Sequence, residues 1–352
     1  MKLISPLLKH VVYPGLSRAG YLRQRNGFSP AVLTYHGVLP DGYRKMDRYL
    51  DGNLMTADHL YQQLGFLKAE YEVISPEDFR ASCDEKCKLP PRAVLLTCDD
   101  GLRNHLTVML PVLQEAQVQC LFFVTGPSRE DARTMLWHER LCLLLLAAPH
   151  DIRVELPEAG VWSAAHGRSA KRDLWRSLVV QLSAFAGERR LEMLDEIRAQ
   201  LGLPESWDEK YREDPVLAAR FLTLNGDEVR QLADAGMSIG AHTDSHPNLA
   251  QMPEELVAHE LRQNCQNLEL ALGTQVWALA YPFGDPASVL TREMALAERC
   301  GFTCAFVNHE YGVGDDHSRF ALPRVHVTAE LSLAELKARM SGFHASLRQL
   351  LA

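Results

Sequence analysis

The sequence predicts an α/β fold, a parallel sheet rolled into a closed or nearly closed barrel with helices packed around it. Short apolar runs alternate with helical patterns along most of the chain. Repeated strand–helix units of this kind bury a parallel sheet beneath helices, and seven or eight of them suit a barrel. The 352 residues are 47% hydrophobic, enough apolar material for one large domain carrying an insertion.

The elements follow in order. Residues 31–38 read as the first strand. Thr56 then caps a helix whose Leu60, Leu64 and Leu67 share one face. Residues 71–74 form a strand, and Ser75-Pro76-Glu77 is an N-cap with proline at the first helical position. A strand at 93–98 leads into a helix reaching about Gln117, and a strand at 120–124 follows. The rhythm resumes near Asn225 with a helix to Ala235, which Gly236 ends. A strand at 237–241 precedes a helix over 254–272 with Val257, Leu261, Cys265, Leu268 and Leu272 on one face. Strands at 276–281, 302–307 and 322–327 complete the pattern, with helices between and after them.

The rhythm breaks over 127–224. Leu174, Leu178, Leu182 and Phe185, then Leu191, Leu194, Ile197 and Leu201, carry a helical period of their own. The organisation read from this is an N-terminal helical segment (1–27), a barrel made of 28–126 and 225–345, and a mainly helical insertion (127–224) in one βα loop. Such loops gather at the C-terminal face of a barrel, where active sites lie, so the insertion is expected to cover the site.

Composition excludes several classes. The net charge is −8, and no long Lys/Arg run marks a nucleic-acid surface. The longest apolar run, 141–148, is too short to span a bilayer. The basic N-terminus lacks a continuous apolar core and a small-residue cleavage site, so the expectation is a cytoplasmic protein without a signal peptide. Leu3, Leu7, Leu8, Val11 and Val12 could line one helical face. That face either docks on the domain or makes a peripheral membrane contact. The eight cysteines are scattered. Cys120 and Cys304 read as reduced core residues, and the Cys83/Cys87 and Cys300/Cys304 spacings are loose for a zinc knuckle.

Three segments carry chemistry, each at the C-terminal end of an expected strand. In Thr97-Cys98-Asp99-Asp100-Gly101, two adjacent carboxylates are costly at a buried strand end unless something such as a divalent metal stabilises them. The alternative is a solvated Asp-Gly turn. In His242-Thr243-Asp244-Ser245-His246, histidines four apart on one helical turn can reach a single metal. In Ala280-Tyr281-Pro282-Phe283-Gly284, proline and glycine fix a turn that can aim a backbone N–H at an oxyanion. Alone, that third segment reads better as a plain structural turn.

Together, in this order on one alternating fold, the segments resemble the polysaccharide deacetylase family, the NodB-homology or carbohydrate esterase 4 family. The run Leu33-Thr34-Tyr35-His36-Gly37-Val38 is also similar to the first strand of its members. The resemblance covers about 31–126 and 225–330. It implies a distorted (β/α) barrel of NodB-homology type with fewer than eight units, here with a helical insertion. It implies Asp99 as general base, and Asp100, His242 and His246 as ligands of a divalent metal, zinc the first choice. It further implies that the N–H near Phe283 stabilises an oxyanion and that His326 protonates the leaving amine. Tyr281 and Trp137 are the candidate substrate contacts, Trp137 by stacking on a sugar ring; packing of the insertion is the alternative for Trp137. His36 either edges the site or is a buried, hydrogen-bonded histidine.

Two positions depart from the family pattern. Cys98 replaces the usual aromatic before the Asp pair, and Ala280 stands where an arginine often orients the base. The expectation is that Arg324 supplies that charge beside Asp99. The function implied is an N-deacetylase acting on an N-acetylated carbohydrate, in a polysaccharide or lipid-linked glycan, in exopolysaccharide or envelope synthesis. The rivals are a glycan-binding homologue without catalysis, a hydrolase of a non-sugar amide or cyclic imide, and a scaffold.

Overall fold

The computed structural model describes residues 4–22, 30–126, 134–309 and 318–351. Its strands are β1 (Ala31–Tyr35), β2 (Glu72–Val73), β3 (Ala93–Cys98), β4 (Leu121–Val124), β5 (Ile152–Leu156), β6 (Gly160–Ala164), β7 (Ser238–Ala241), β8 (Ala278–Ala280), β9 (Cys304–Phe306) and β10 (Val325–His326). Eight of them form one sheet in the order β10-β1-β3-β4-β7-β8-β9, with β2 beside the start of β3. Every pairing in it is parallel. The sheet curls until its edges meet through one segment. Leu322 bridges Phe306 of β9, while Val325–His326 pairs with Leu33 and Thr34 of β1. The expected strand 322–327 is therefore divided between two neighbours. Pro323 has no N–H to continue a ladder.

The strands alternate as a barrel requires. Leu33, Tyr35, Leu96, Cys98, Phe122, Val124 and Ile239 face outward into the layer shared with the helices. Val32, Leu95, Leu121, Phe123, Ala280 and Phe306 fill the interior. Thr97 and Asp99 continue the inward-facing set on β3, so alternation alone aims Asp99 into the barrel mouth.

Several elements are shorter than the sequence reading. β1 stops at Tyr35, and β8 is confined to Ala278–Ala280. The residues that drop out after Tyr35 and after Ala280 are those that turn over the barrel rim. Helix Glu254–Leu272 ends in Gly273 at φ 69°, as an αL cap requires.

Between β4 and β7 the chain builds a second core. Helices Trp137–Ala147, Arg168–Leu182 and Gly187–Gln200 pack Leu141, Leu178, Leu194 and Ile197 against an antiparallel hairpin, β5–β6. The expectation of a mainly helical insertion lacked this hairpin. Its signal was present: Ile152, Val154 and Leu156 are buried while Arg153 and Glu155 are exposed, a period of two. Residues 127–133 of the expected insertion lie outside the described residues.

The N-terminal helical segment docks on the barrel. Tyr13, with Leu8, Val12 and Leu16, packs against Ala334, Ala338 and Phe343. Tyr13 Oη and His344 Nδ1 lie 2.7 Å apart, and Lys9 pairs with Glu335 at 3.3 Å. Leu7 and Val11 stay 55% and 59% exposed. Leu3 lies outside the described residues. Among those residues, no helix is long and apolar enough to cross a membrane.

Candidate metal centre and active site

Three strand ends meet at one level of the barrel. Register sets Tyr35 beside Cys98, Val124 beside Ala241, and Ala241 beside Leu279. The residues after these positions therefore converge on one mouth.

After Asp99 the chain turns sharply. Asp100 has φ 84° and Gly101 φ 72°. A side chain at 101 would place its Cβ 2.8 Å from Val124 Cγ1, so only glycine fits. Asp100, Thr243 (φ 66°), His246 (φ 54°) and Phe283 (φ 62°) are all non-glycine residues in the left-handed region. Each is energetically unfavourable there, and such residues cluster where a site demands them. The pair His242/His246 is thus presented by a strained loop, not by the helical turn its spacing suggested.

That loop brings the ligand atoms together. One donor atom each from Asp100, His242 and His246 lies within 4.8 Å of the others. Asp100 Oδ1 is 3.6 Å from His242 Nε2 and 3.4 Å from His246 Nε2. His242 Nδ1 is 2.7 Å from the Ala280 carbonyl. That contact puts the proton on Nδ1 and leaves the Nε2 lone pair facing Asp100. The His242 backbone N–H donates to Asn264 Oδ1 at 2.8 Å. Burial alone would raise the Asp100 carboxyl, but the two imidazoles beside it hold it well below the usual range. Two imidazoles and a carboxylate, converging and buried, are the donor set a divalent transition metal takes.

Asp99 stands beside this cluster and is held by Arg324. Nη1 donates to Oδ1 at 2.7 Å and Nη2 to Oδ2 at 2.6 Å. Arg324 is itself fixed by Val307 O through Nε and by Thr97 Oγ1 through Nη1. Burial raises the Asp99 carboxyl. The charges of Arg324 and His242 outweigh that and keep it below the ordinary value. The arginine expected for Asp99 is therefore present, delivered by the segment that closes the barrel. Ala280 contributes its carbonyl to His242 instead.

A cleft of about 290 Å³ opens above these groups. Its floor holds Asp99, Asp100, His242, His246 and His36, with Tyr281 and Phe283 on one side. The Phe283 amide donates to no backbone acceptor among the described residues. Tyr281 lines the cleft, but it is 1% exposed and its hydroxyl donates to Phe320 O at 3.0 Å.

Two expected residues sit elsewhere. His326 lies behind His36, with ring centroids 4.9 Å apart, and only His36 lines the cleft. Burial, with the charges of His36 and Arg339, lowers His326 to about 3. Trp137 has no face for a sugar. It is 4% exposed, the Arg190 guanidinium covers its ring at 4.7 Å, and its Nε1 donates to His246 O at 2.8 Å. The aromatics at the rim are Trp175 and Tyr49, 5.8 Å apart. Sequence reading missed them because one lies in the one-turn helix Arg48–Asp51 and the other in a helix of the insertion.

The insertion also supports the His242–His246 loop. Arg190 Nη2 donates to Ser245 Oγ at 2.5 Å and to Ser245 O at 3.2 Å. Glu260 accepts the Ser245 N–H at 2.8 Å from the other side. Arg220, fully buried, ties Asp51 to Glu139 and so joins the 47–51 rim to the insertion.

Comparison with known proteins agrees with this geometry. The profile described as polysaccharide deacetylase matches residues 86–190 and 204–305, more than half the chain. A Streptococcus pyogenes deacetylase, PplD, shares the fold with a TM-score of 0.54 and 17% identity, over 88% of this chain and 97% of its own. A de-N-acetylase from Aggregatibacter actinomycetemcomitans gives 0.52 and 15%, over 87% and 98%. IcaB from Ammonifex degensii gives 0.52 and 18%, over 89% and 97%. Sequence comparison with curated proteins finds no match.

Proposed function

The chain belongs to the polysaccharide deacetylase family, hydrolases of carbon–nitrogen bonds other than peptide bonds, and on that premise we propose that it is a metal-dependent N-deacetylase of an N-acetylhexosamine within a polysaccharide or lipid-linked glycan. The observation that carries this reading is the juxtaposition at the cleft floor. Asp99, locked by Arg324, adjoins the Asp100–His242–His246 donor set.

Asp100, His242 and His246 would hold the ion, with zinc the first choice for this donor set. When bound, a divalent ion there acidifies water and polarises an acetamide carbonyl. The remaining roles belong to the protein. Asp99, kept ionised by Arg324, accepts the proton of the attacking water. The Phe283 N–H, which has no backbone acceptor among the described residues, is the donor we assign to the oxyanion. His36, on the cleft floor, is better placed than His326 to protonate the departing amine; His326 backs its ring. Trp175 and Tyr49 offer the rim aromatics that a sugar face needs. The insertion, residues 127–224 in our division of the chain, supplies one wall of the cleft.

An arginine missing at position 280 would favour a glycan-binding protein without turnover. Arg324 on Asp99 answers that objection. The product is a free amine on a glycan, consistent with exopolysaccharide or envelope synthesis. The test is metal content and acetate release. Wild type should carry about one divalent ion per chain and release acetate from N-acetylglucosamine oligomers, and His246→Ala should lose both. A protein without metal after zinc incubation, or one hydrolysing cyclic imides but no acetylated sugar, would overturn the reading.

A further inference from the structure

A second cavity, about 640 Å³, adjoins the catalytic cleft and differs from it in charge. Lys45, Arg168, Lys171 and Lys210 line it, and no carboxylate does so among the described residues. In a chain of net charge −8, four cations lining one hollow with no carboxylate among its lining residues suit an anion. Two of the four have internal duties. Lys171 Nζ donates to the Leu146 and Ala148 carbonyls, and Arg168 donates to Met46 O. Lys45 and Lys210 are exposed, and neither forms an ion pair within 4 Å among the described residues; Lys210 Nζ lies 4.9 Å from the Tyr211 ring. The floor between the cations is apolar, made by Met46, Leu143 and Leu146.

The two cavities share their walls. Helix Trp137–Ala147 gives His138 and Glu139 to the catalytic cleft and Leu143 and Leu146 to the second cavity. Helix Arg168–Leu182 gives Trp175 to the first and Arg168 and Lys171 to the second. The segment between β1 and helix Ala57–Glu70 gives Tyr49 and Leu50 to the first and, from the loop before them, Lys45 and Met46 to the second. At the rise of an α-helix, the offset along the two helices is roughly 6 to 12 Å. The Asp47–Arg172 ion pair, 2.7 Å, stands between the two sets in the loop and in the helix alike.

We propose that this cavity binds a phosphate group borne by the glycan substrate, close to the sugar whose acetamide is cleaved. Several ammonium groups suit a multiply charged anion held as a point charge. The apolar floor suits a hydrocarbon beside that phosphate, as in a lipid-phosphate-linked sugar. The place of this site in the reaction rests on the deacetylase reading; the binding itself does not.

The test separates the two. Octyl phosphate, octyl glucoside and inorganic phosphate are titrated calorimetrically into the purified protein. Octyl phosphate should bind, octyl glucoside should not, and inorganic phosphate should bind more weakly. The double variant Lys45→Gln/Lys210→Gln should weaken octyl phosphate by about tenfold or more. Asp100→Asn, which disables the metal centre, should leave that binding in place. Equal binding in wild type and the double variant, or binding lost only in Asp100→Asn, overturns the proposal. Inorganic phosphate binding as tightly as octyl phosphate overturns the lipid source and points to a free or sugar phosphate. In turnover, chitobiose 1-phosphate should be preferred over chitobiose, both N-acetylated, in kcat/KM, and the double variant should abolish the preference. If neither is deacetylated, the deacetylase reading fails and the titration still decides the site.

Discussion

Arg324 and Asp99, 225 residues apart in sequence, form a two-pronged ion pair at the barrel mouth, with both N–H···O distances below 2.8 Å. Arg324 reaches Asp99 because the chain returns to β1 at its end and completes the curled sheet. The pair is buried. Bidentate, charge-assisted bonds of this kind fix both the orientation and the ionisation of a carboxylate.

Replacing Arg324 with methionine should lower kcat by about 10²-fold or more, as loss of an oriented base requires. The pH profile should move as well. The paired Asp99 carboxyl lies below its ordinary value, so activity falls only at low pH. Without Arg324, burial dominates and raises that carboxyl, and the acidic limb should shift to higher pH. Arg324→Lys should recover part of the rate. An unchanged kcat/KM profile for Arg324→Met would remove Arg324 from the mechanism.

Arg190 should matter to the metal more than to the fold. It fixes Ser245, between His242 and His246, and its guanidinium lies over Trp137. Loss of such support typically costs about 10–100-fold in metal affinity. Zinc competition titrations on Arg190→Met should show a decrease of that order, with partial recovery in Arg190→Lys. Melting temperature is read separately. Equal zinc affinity in wild type and variant would reduce Arg190 to a packing role.

The two tryptophans near the site should separate by kinetics. Trp137→Phe keeps the packing but loses the indole N–H bond to His246 O, so zinc affinity should fall and the KM for glycan should hold. Trp175→Ala removes a cleft wall, so KM should rise by about tenfold with a smaller change in kcat. The reverse pattern would return the stacking role to Trp137.

Gly284→Ala tests the turn that presents Phe283. Gly284 has φ 65°, and an added Cβ would lie 2.4 Å from Asn308 N. Backbone strain and that clash together should cost about 2–3 kcal/mol. Denaturant titration should show a lower midpoint. A variant as stable as wild type would mean that the turn relaxes freely.

The strand–helix rhythm, the barrel class and the residues Asp99, Asp100, His242 and His246 were legible in the sequence. Period-two and period-3.6 apolar patterns are local, and the chemistry-bearing residues directly follow local strand signals. The hairpin β5–β6 was also legible, through Ile152, Val154 and Leu156, but the helical pattern around it masked the signal.

The tertiary structure decided how distant groups meet. It gave the expected Arg324–Asp99 pair its two-pronged geometry and sent Trp137 to a backbone carbonyl. It also set His36, not His326, on the cleft floor. Those outcomes depend on how a closing sheet and an insertion pack, over separations of 100 residues and more. A sequence period reports which face of an element is buried. It carries no information on which far-off residue that face will touch, because the contact is selected by the register and packing of the whole fold.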